Sequence, residues 1–267
     1  MFQGKDFLQN KRSVRSLGEF HEHVEHLKFT YFNNSTLWYR GIADKAYLLI
    51  PSIYRSGKYT LEIENLMRQE FRDHAKGLTN YTGLQQFDWL FMMQHYGLKT
   101  RLLDWTQGYL IALYFATQLG VRDNRFSDPA VWVINPLELN ILSQGEGRII
   151  RTEFDMEVFD DSQLALGYLE LNAEFVSSID WPVAISSSYT NQRVMRQQGR
   201  FTIHGTKQTE IVSLYRNSKI YNVARINIER KFVKQIQTDL LNAGISKSVL
   251  FPDLSALSEE INERYLG

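Results

Sequence analysis

Two segments of this chain are apolar on most sides, and they bracket a short polar one. "LQQFDWLFMMQHYG" and "GYLIALYFATQLG" carry apolar side chains at helical spacing and on the intervening faces as well. A helix of that kind is stable only when other elements enclose it, so the fold needs layers on several sides. Between them runs the rest of "QHYGLKTRLLDWT", residues 94–106, which mixes His95, Arg101 and Asp104 with Tyr96, Leu102, Leu103 and Trp105. One reading is a helix end, with Gly97 as a left-handed cap, His95 near the terminal carbonyls, Trp105 in the core and Arg101 paired with Asp104. The other is a pocket lined by the polar members. The residues alone leave both open.

The remaining pattern is mixed. "SVRSLGEFHEHVEHLKF" has Val14, Leu17, Phe20, Val24 and Leu27 at helical spacing, with Ser13 as cap. "TLEIENLMRQEFRDHAKG" is a helix capped by Thr60 and ended at Gly77, and "ERKFVKQIQTDLLNAG" is an amphipathic helix ended at Gly244. "LSALSEEINERYLG" is a final helix. Strands are expected at "TLWYRGIA", "AVWVI", "RFTIHG" and "YNVARINI", and "LIPSIYRSG" reads as a loop. Residues 145–180, with Glu153, Asp155, Glu157, Asp160 and Asp161 close together, read as an acidic insertion or lid, its charges a solvated face. Helices lead and strands follow without strict alternation. That order predicts an α+β fold whose N-terminal half is mostly helical.

Composition excludes several function classes. The chain has 267 residues, with 43% hydrophobic and 22% charged, enough for one large domain. Lysine plus arginine balance aspartate plus glutamate at 30 each, so the whole molecule is not an electrostatic nucleic-acid binder, although a local basic groove is compatible with neutrality. Cysteine is absent, which removes disulfides, thiolate nucleophiles and cysteine-ligated zinc. No signal peptide or membrane-spanning run is recognisable, so a cytoplasmic protein with no membrane partner is expected. His21, His23 and His26 do not form a metal site, because only His23 and His26 share a helix face. "GEGR" at 145–148 lacks the lysine and hydroxyl of a phosphate loop, and no serine sits in a nucleophile elbow.

Two further clusters carry chemistry. In "LWYRG" Arg40 follows Trp38 and Tyr39 and precedes Gly41. It is either an edge residue or a bidentate anion ligand, and Gly41 would let a ligand approach the backbone. "SYTNQRVMRQQGRFTIHG" places Arg193, Arg196, Gln197 and Gln198 ahead of a strand, as a solvated helix or as an edge recognising a polar ligand.

Taken in order, these clusters resemble the FRG domain family of bacteria and phage. "WYRG" is similar to its aromatic-Arg-Gly signature, and "QHYGLKTRLLDWT" follows its long central motif at nearly every position. "LIALYFA", the Arg193-Gln197-Gly199-Phe201 pattern and "LFPDLSAL" extend the likeness over roughly residues 36–257. The family's order of elements is similar to ADP-ribosyltransferases. The resemblance implies a split mixed or antiparallel β core flanked by helices, after an N-terminal helical extension at 1–35 and before a helix end at 258–267.

It implies NAD as substrate, with no metal. Arg40 would hold the pyrophosphate, and Arg101 and Arg193 would add positive charge. Thr100 would fill the place of the small hydroxyl residue, and Tyr96 or Trp105 would stack on nicotinamide beside Tyr39 and Gly41. Gln197 stands where the family superfold brings a carboxylate to the ribose, and with an amide there Asp104 or Glu210 would supply the charge. His95 completes the catalytic candidates. The implied acceptor is RNA, DNA or protein, and the implied role is a toxin or anti-phage effector with a neutralising antitoxin partner. Two other classes compete: a binding module that senses a nucleotide or phage component without chemistry, and a nuclease-like site on His95, Asp104 and Arg101.

Overall fold

A single mixed sheet organises the chain, with helices on both faces. The computed structural model describes residues 2–3, 7–78, 83–118, 127–152, 159–170, 179–187, 192–216 and 223–266. Its strands are β1 (Phe2–Gln3), β2 (Leu8–Asn10), β3 (Trp38–Ile42), β4 (Leu102–Thr106), β5 (Ala130–Ile134), β6 (Val183–Ile185), β7 (Gly199–Ile203) and β8 (Val223–Asn227). They lie in the order β1-β2-β8-β5-β3-β4-β7-β6. Only β2 and β8 run parallel; the other neighbours are antiparallel. The helices are α1 (Leu17–Thr30), α2 (Leu61–Ala75), α3 (Gln86–His95), α4 (Tyr109–Gln118), α5 (Pro136–Gln144), α6 (Phe159–Glu170), α7 (Gln192–Arg196), α8 (Val212–Tyr215), α9 (Val233–Asn242), α10 (Lys247–Leu250) and α11 (Leu254–Leu266). Among the described residues no helix is long and apolar enough to cross a membrane.

The α+β class follows from how the elements bury their faces. Phe20, Val24 and Leu27 of α1 join Ala112, Leu113 and Ala116 of α4 and Ile236 of α9 in one core, against Val131 and Val133 of β5. Trp38, Trp105 and Trp132 share a second core with Leu139 of α5 and Tyr215 of α8. Phe87, Leu90 and Phe91 of α3 form the third with Tyr168 and Leu169 of α6 and strands β4, β6 and β7. Thus α3 and α4, the two all-round apolar helices, each sit beneath or beside the sheet. Strand β5 is buried at all five residues, which accounts for the unbroken apolar run of "AVWVI".

The sheet is divided at its centre. β3 pairs with β5 over Trp38↔Ile134 to Ile42↔Ala130, and β4 with β7 over Leu102↔Ile203 to Thr106↔Gly199. Between β3 and β4 the register holds the single pair Tyr39↔Thr106. Past that pair a side chain replaces the ladder: the Arg40 guanidinium donates to the Asp104 carbonyl at 2.5 Å.

Several expectations are corrected by this arrangement. Ser16, not Ser13, caps α1, its hydroxyl accepting from the Glu19 amide, because Val14 is already committed to a bridge with Ile228. Residues 1–35 are no separate extension, since β2 pairs with β8 and α1 packs into the main core. A boundary after residue 257 would cut α11 in two. The N-terminal half is less helical than expected, because it also supplies β1 to β5. Strand β4 escaped notice since four of its five residues are buried, leaving no alternation to read. The acidic stretch at Glu153, Asp155 and Glu157 lies outside the described residues. Within the supposed lid, α6 contributes to the core: Tyr168 and Leu169 are fully buried, and the Tyr168 hydroxyl donates to the Trp181 carbonyl at 2.6 Å.

Gly41 is required by packing. A Cβ there would stand 2.0 Å from the Ala112 carbonyl oxygen and 2.5 Å from the Ala116 nitrogen. Strand and helix backbones can therefore touch only because residue 41 has no side chain. The approach that glycine permits is that of α4.

Candidate functional site

The divided sheet opens onto a cleft of about 390 Å³, within the range of small-molecule sites. It is lined by β3 (Tyr39 to Ile42), the end of α3 (Phe91, Gln94, His95), β4 (Asp104, Trp105, Thr106), and Arg193, Val194 and Gln197 around α7. Tyr47, Leu48 and Arg55 line it from the loop before α2, and Phe115 and Phe201 complete it.

Its electrostatics centre on one carboxylate among several cations. Among the described residues Asp104 is the only acidic one lining the cleft, against Arg40, Arg55 and Arg193. Arg40 Nη1 lies 3.9 Å from Asp104 Oδ2, and the two side chains are 21% and 54% exposed. Burial depresses the Arg40 guanidinium below its usual pKa; Asp104 opposes that shift and Arg55 adds to it. Arg193 is likewise depressed by burial, with Asp104 and Asp253 opposing, and it lies over the Phe251 ring at 4.5 Å. These partly dehydrated guanidinium groups gain by meeting an anion. His95 is pushed down by burial and then by Arg193, which keeps its imidazole neutral at pH 7.

Asp104 is also held by a side chain of α3. Gln94 Nε2 donates to Asp104 Oδ2 at 2.9 Å, and the Thr100 hydroxyl donates to Gln94 Oε1 at 2.6 Å. The Leu102 amide in turn donates to Thr100 Oγ1 at 3.1 Å. Thr106 donates to the Gln197 carbonyl at 2.7 Å and so ties β4 to the end of α7.

Of the residues picked out in the sequence, the cleft brings together Tyr39, Arg40, Gly41, His95, Asp104, Trp105, Arg193 and Gln197. Others lie elsewhere. Arg101 is 0% exposed: its Nε donates to Glu64 Oε2 at 2.7 Å, and its terminal nitrogens donate to the carbonyls of His204 (2.7 Å) and Leu169 (2.8 Å). It is a buried cation paired inside the protein, away from the cleft. Thr100 is 2% exposed and supports Gln94. Tyr96 stands outside, lining a separate apolar groove with Met67, Phe71 and Leu98.

Two others line the cleft in roles that differ from expectation. Trp105 is 3% exposed and its indole N–H donates to Thr202 Oγ1 at 3.1 Å, so it forms a wall without offering a free face. Gln197 follows α7, not on a strand, and its amide donates to the Leu250 carbonyl at 3.2 Å. Glu210 does not line the cleft and pairs with Arg216. Gln94, Arg55, Tyr47 and Thr106 were missed. Gln94 and Thr106 begin and end the polar motif, whereas Arg55 sits in a single 3-10 turn, Tyr54–Ser56, within a stretch that reads as loop.

Beside the cleft, the buried network around Arg101 holds His204, also 0% exposed. Desolvation depresses its pKa to about 3, with the Leu49 backbone opposing and Arg101 and Arg40 reinforcing. The unfolded chain therefore takes up this proton below about pH 6.5 while the folded one does not. Stability is complete above that pH and falls by roughly 1.4 kcal/mol per unit as pH drops toward 3. Urea unfolding at pH 7 and pH 5 should differ by roughly 2 kcal/mol from this residue. His204→Gln should flatten the difference, and an unchanged slope in that variant would assign the acid sensitivity to other groups.

Residues 35–125 match the family model described as FRG domain. That stretch runs from the residues before β3 through α4 and carries Arg40, His95 and Asp104, but not Arg193 or Gln197. No curated protein and no solved structure matches the chain.

Proposed function

We propose that the cleft binds NAD and that the protein is an ADP-ribosyltransferase-like enzyme with Asp104 as its carboxylate. The observation that carries this reading is the Asp104 carboxylate lining the same cleft as Arg40, Arg55 and Arg193 at the division of the sheet. An NAD-like ligand needs that pairing: guanidinium donors for the pyrophosphate, and a negative charge beside the ribose. In the reaction the C1′–N bond to nicotinamide breaks, and its electron pair neutralises the pyridinium. The positive charge then developing on the ribose ring is stabilised by the Asp104 carboxylate. An acceptor nucleophile bonds to C1′ and gives up its proton, for which His95, in the lining of the cleft, is the candidate base.

The FRG match at 35–125 supports the reading through the family's likeness to ADP-ribosyltransferases. A macromolecular acceptor, and a toxin or defence role with a neutralising partner, rest on that likeness alone.

The test is incubation with labelled NAD and a cell extract, followed by separate nuclease and protease digestion. Label should pass to one class of macromolecule with release of nicotinamide. Arg40→Ala should weaken NAD binding on the order of ten- to a hundredfold, as expected for loss of a charged hydrogen-bond donor. Calorimetric binding of NAD with no nicotinamide release would favour the sensing module. Equal binding by wild type and Arg40→Ala would remove this cleft from consideration.

A further inference from the structure

We infer that Gln94 and Thr100 form a positioning relay that fixes the orientation of the Asp104 carboxylate and holds it as a pure hydrogen-bond acceptor. The relay deepens the reading above, since it rests on Asp104 being the working carboxylate of the cleft.

The direction of the relay follows from which atoms can donate. A backbone amide can only donate, and that of Leu102 reaches Thr100 Oγ1 at 3.1 Å. The hydroxyl accepts this bond and has one proton to give, which it directs to Gln94 Oε1 at 2.6 Å. With its oxygen so engaged, the Gln94 amide presents its NH₂ end to Asp104 Oδ2 at 2.9 Å. An NH₂ group has no lone pair to offer, so the oxygen it meets must accept. Arg40 Nη1 stands 3.9 Å from the same oxygen. Each bond in the sequence Leu102–Thr100–Gln94–Asp104 therefore demands the orientation of the next.

The location gives this its use. The Asp104 side chain is 54% exposed, so packing does not hold its rotamer. Thr100 is 2% exposed and belongs to the rigid interior. The relay thus anchors a solvent-facing carboxylate to buried backbone. It leaves Asp104 Oδ1 as the oxygen with no hydrogen bond from Gln94 or contact from Arg40. It also explains the spacing of the polar motif. Gln94 closes α3, Thr100 stands just ahead of β4, and Asp104 is the one exposed residue of that strand.

Two readouts test the relay, one of them independent of catalysis. In the apo protein the side-chain NH₂ resonances of Gln94, assigned by Gln94→Glu, should shift on Asp104→Asn and again on Thr100→Val. Asp104→Asn changes an exposed side chain, so this arm does not depend on a variant that disturbs the core. In nicotinamide release from NAD, Thr100→Val should lower kcat on the order of ten- to a hundredfold while KM stays near wild type. Thr100→Ser, which keeps the hydroxyl, should restore it.

Gln94 resonances indifferent to Asp104→Asn would overturn the relay. So would a Thr100→Val enzyme with unaltered kcat, or one that Thr100→Ser rescues no better. Responsive resonances in a wild-type protein that releases no nicotinamide would uphold the relay and end the NAD reading.

Discussion

Glu64→Ala lowers the free energy of unfolding by about 3–5 kcal/mol, the usual consequence of removing one partner from a buried ion pair. Glu64 is 2% exposed and Arg101 0%. Both carboxylate oxygens accept from Arg101 Nε, at 2.9 and 2.7 Å, and Glu64 Oε2 also accepts from the Tyr59 hydroxyl at 2.9 Å. With the carboxylate gone, a full positive charge stays in the interior with only the dipoles of the His204 and Leu169 carbonyls to meet it. Arg68 worsens the situation, because it donates to the same Leu169 carbonyl at 3.1 Å and relies on the Glu64 charge as well. Removing both charges together, as in Glu64→Leu with Arg101→Met, should recover most of the loss. Urea unfolding of the two variants checks this. A single variant as stable as wild type would mean that water enters the site and solvates Arg101.

Asp104→Asn should lower kcat for nicotinamide release on the order of a hundred- to a thousandfold, about 2.7–4 kcal/mol of barrier, as for loss of other preorganised groups that meet developing charge. The ground state has less to lose, since the pyrophosphate contacts proposed for Arg40 and Arg193 would stay, so KM should change little. Stability should hold too, because the side chain is half exposed. The substitution keeps the shape of the group and deletes its charge. An asparagine variant with full turnover would show that the carboxylate plays no part in the chemistry. A variant with raised KM and normal kcat would move Asp104 to ground-state binding.

Much of the architecture was legible because it depends on local rules. Thr60 accepts from the Ile63 amide at 3.1 Å, as its place ahead of an apolar helix predicts. Gly97 and Gly244 adopt φ of 86° and 80°, the left-handed values that end helices. The run "AVWVI" could be seen as a strand buried on both faces, and Arg40 could be singled out beside its glycine. These features need only a few neighbouring residues to express their energy.

Other assignments failed for a common reason: they depend on partners far away in the chain. Arg101 and Arg40 both follow short motifs and both were taken as anion ligands. Arg101 is instead consumed by a glutamate 37 residues before it and by carbonyls 68 and 103 residues after it. Gln197 lines the cleft, and its side-chain amide donates to the Leu250 carbonyl, 53 residues on.

What the amino-acid order dictated, then, was the identity and capping of helices, the apolar strands and the presence of a polar motif between two enclosed helices. Which of that motif's side chains meet the cleft was settled by assembly. Burying a guanidinium costs more than local preference can return, so its fate depends on whether distant oxygens arrive to meet it. At Arg101 they enclose the group, whereas at Arg40 the Asp104 carbonyl arrives and the divided sheet leaves a cleft beside it.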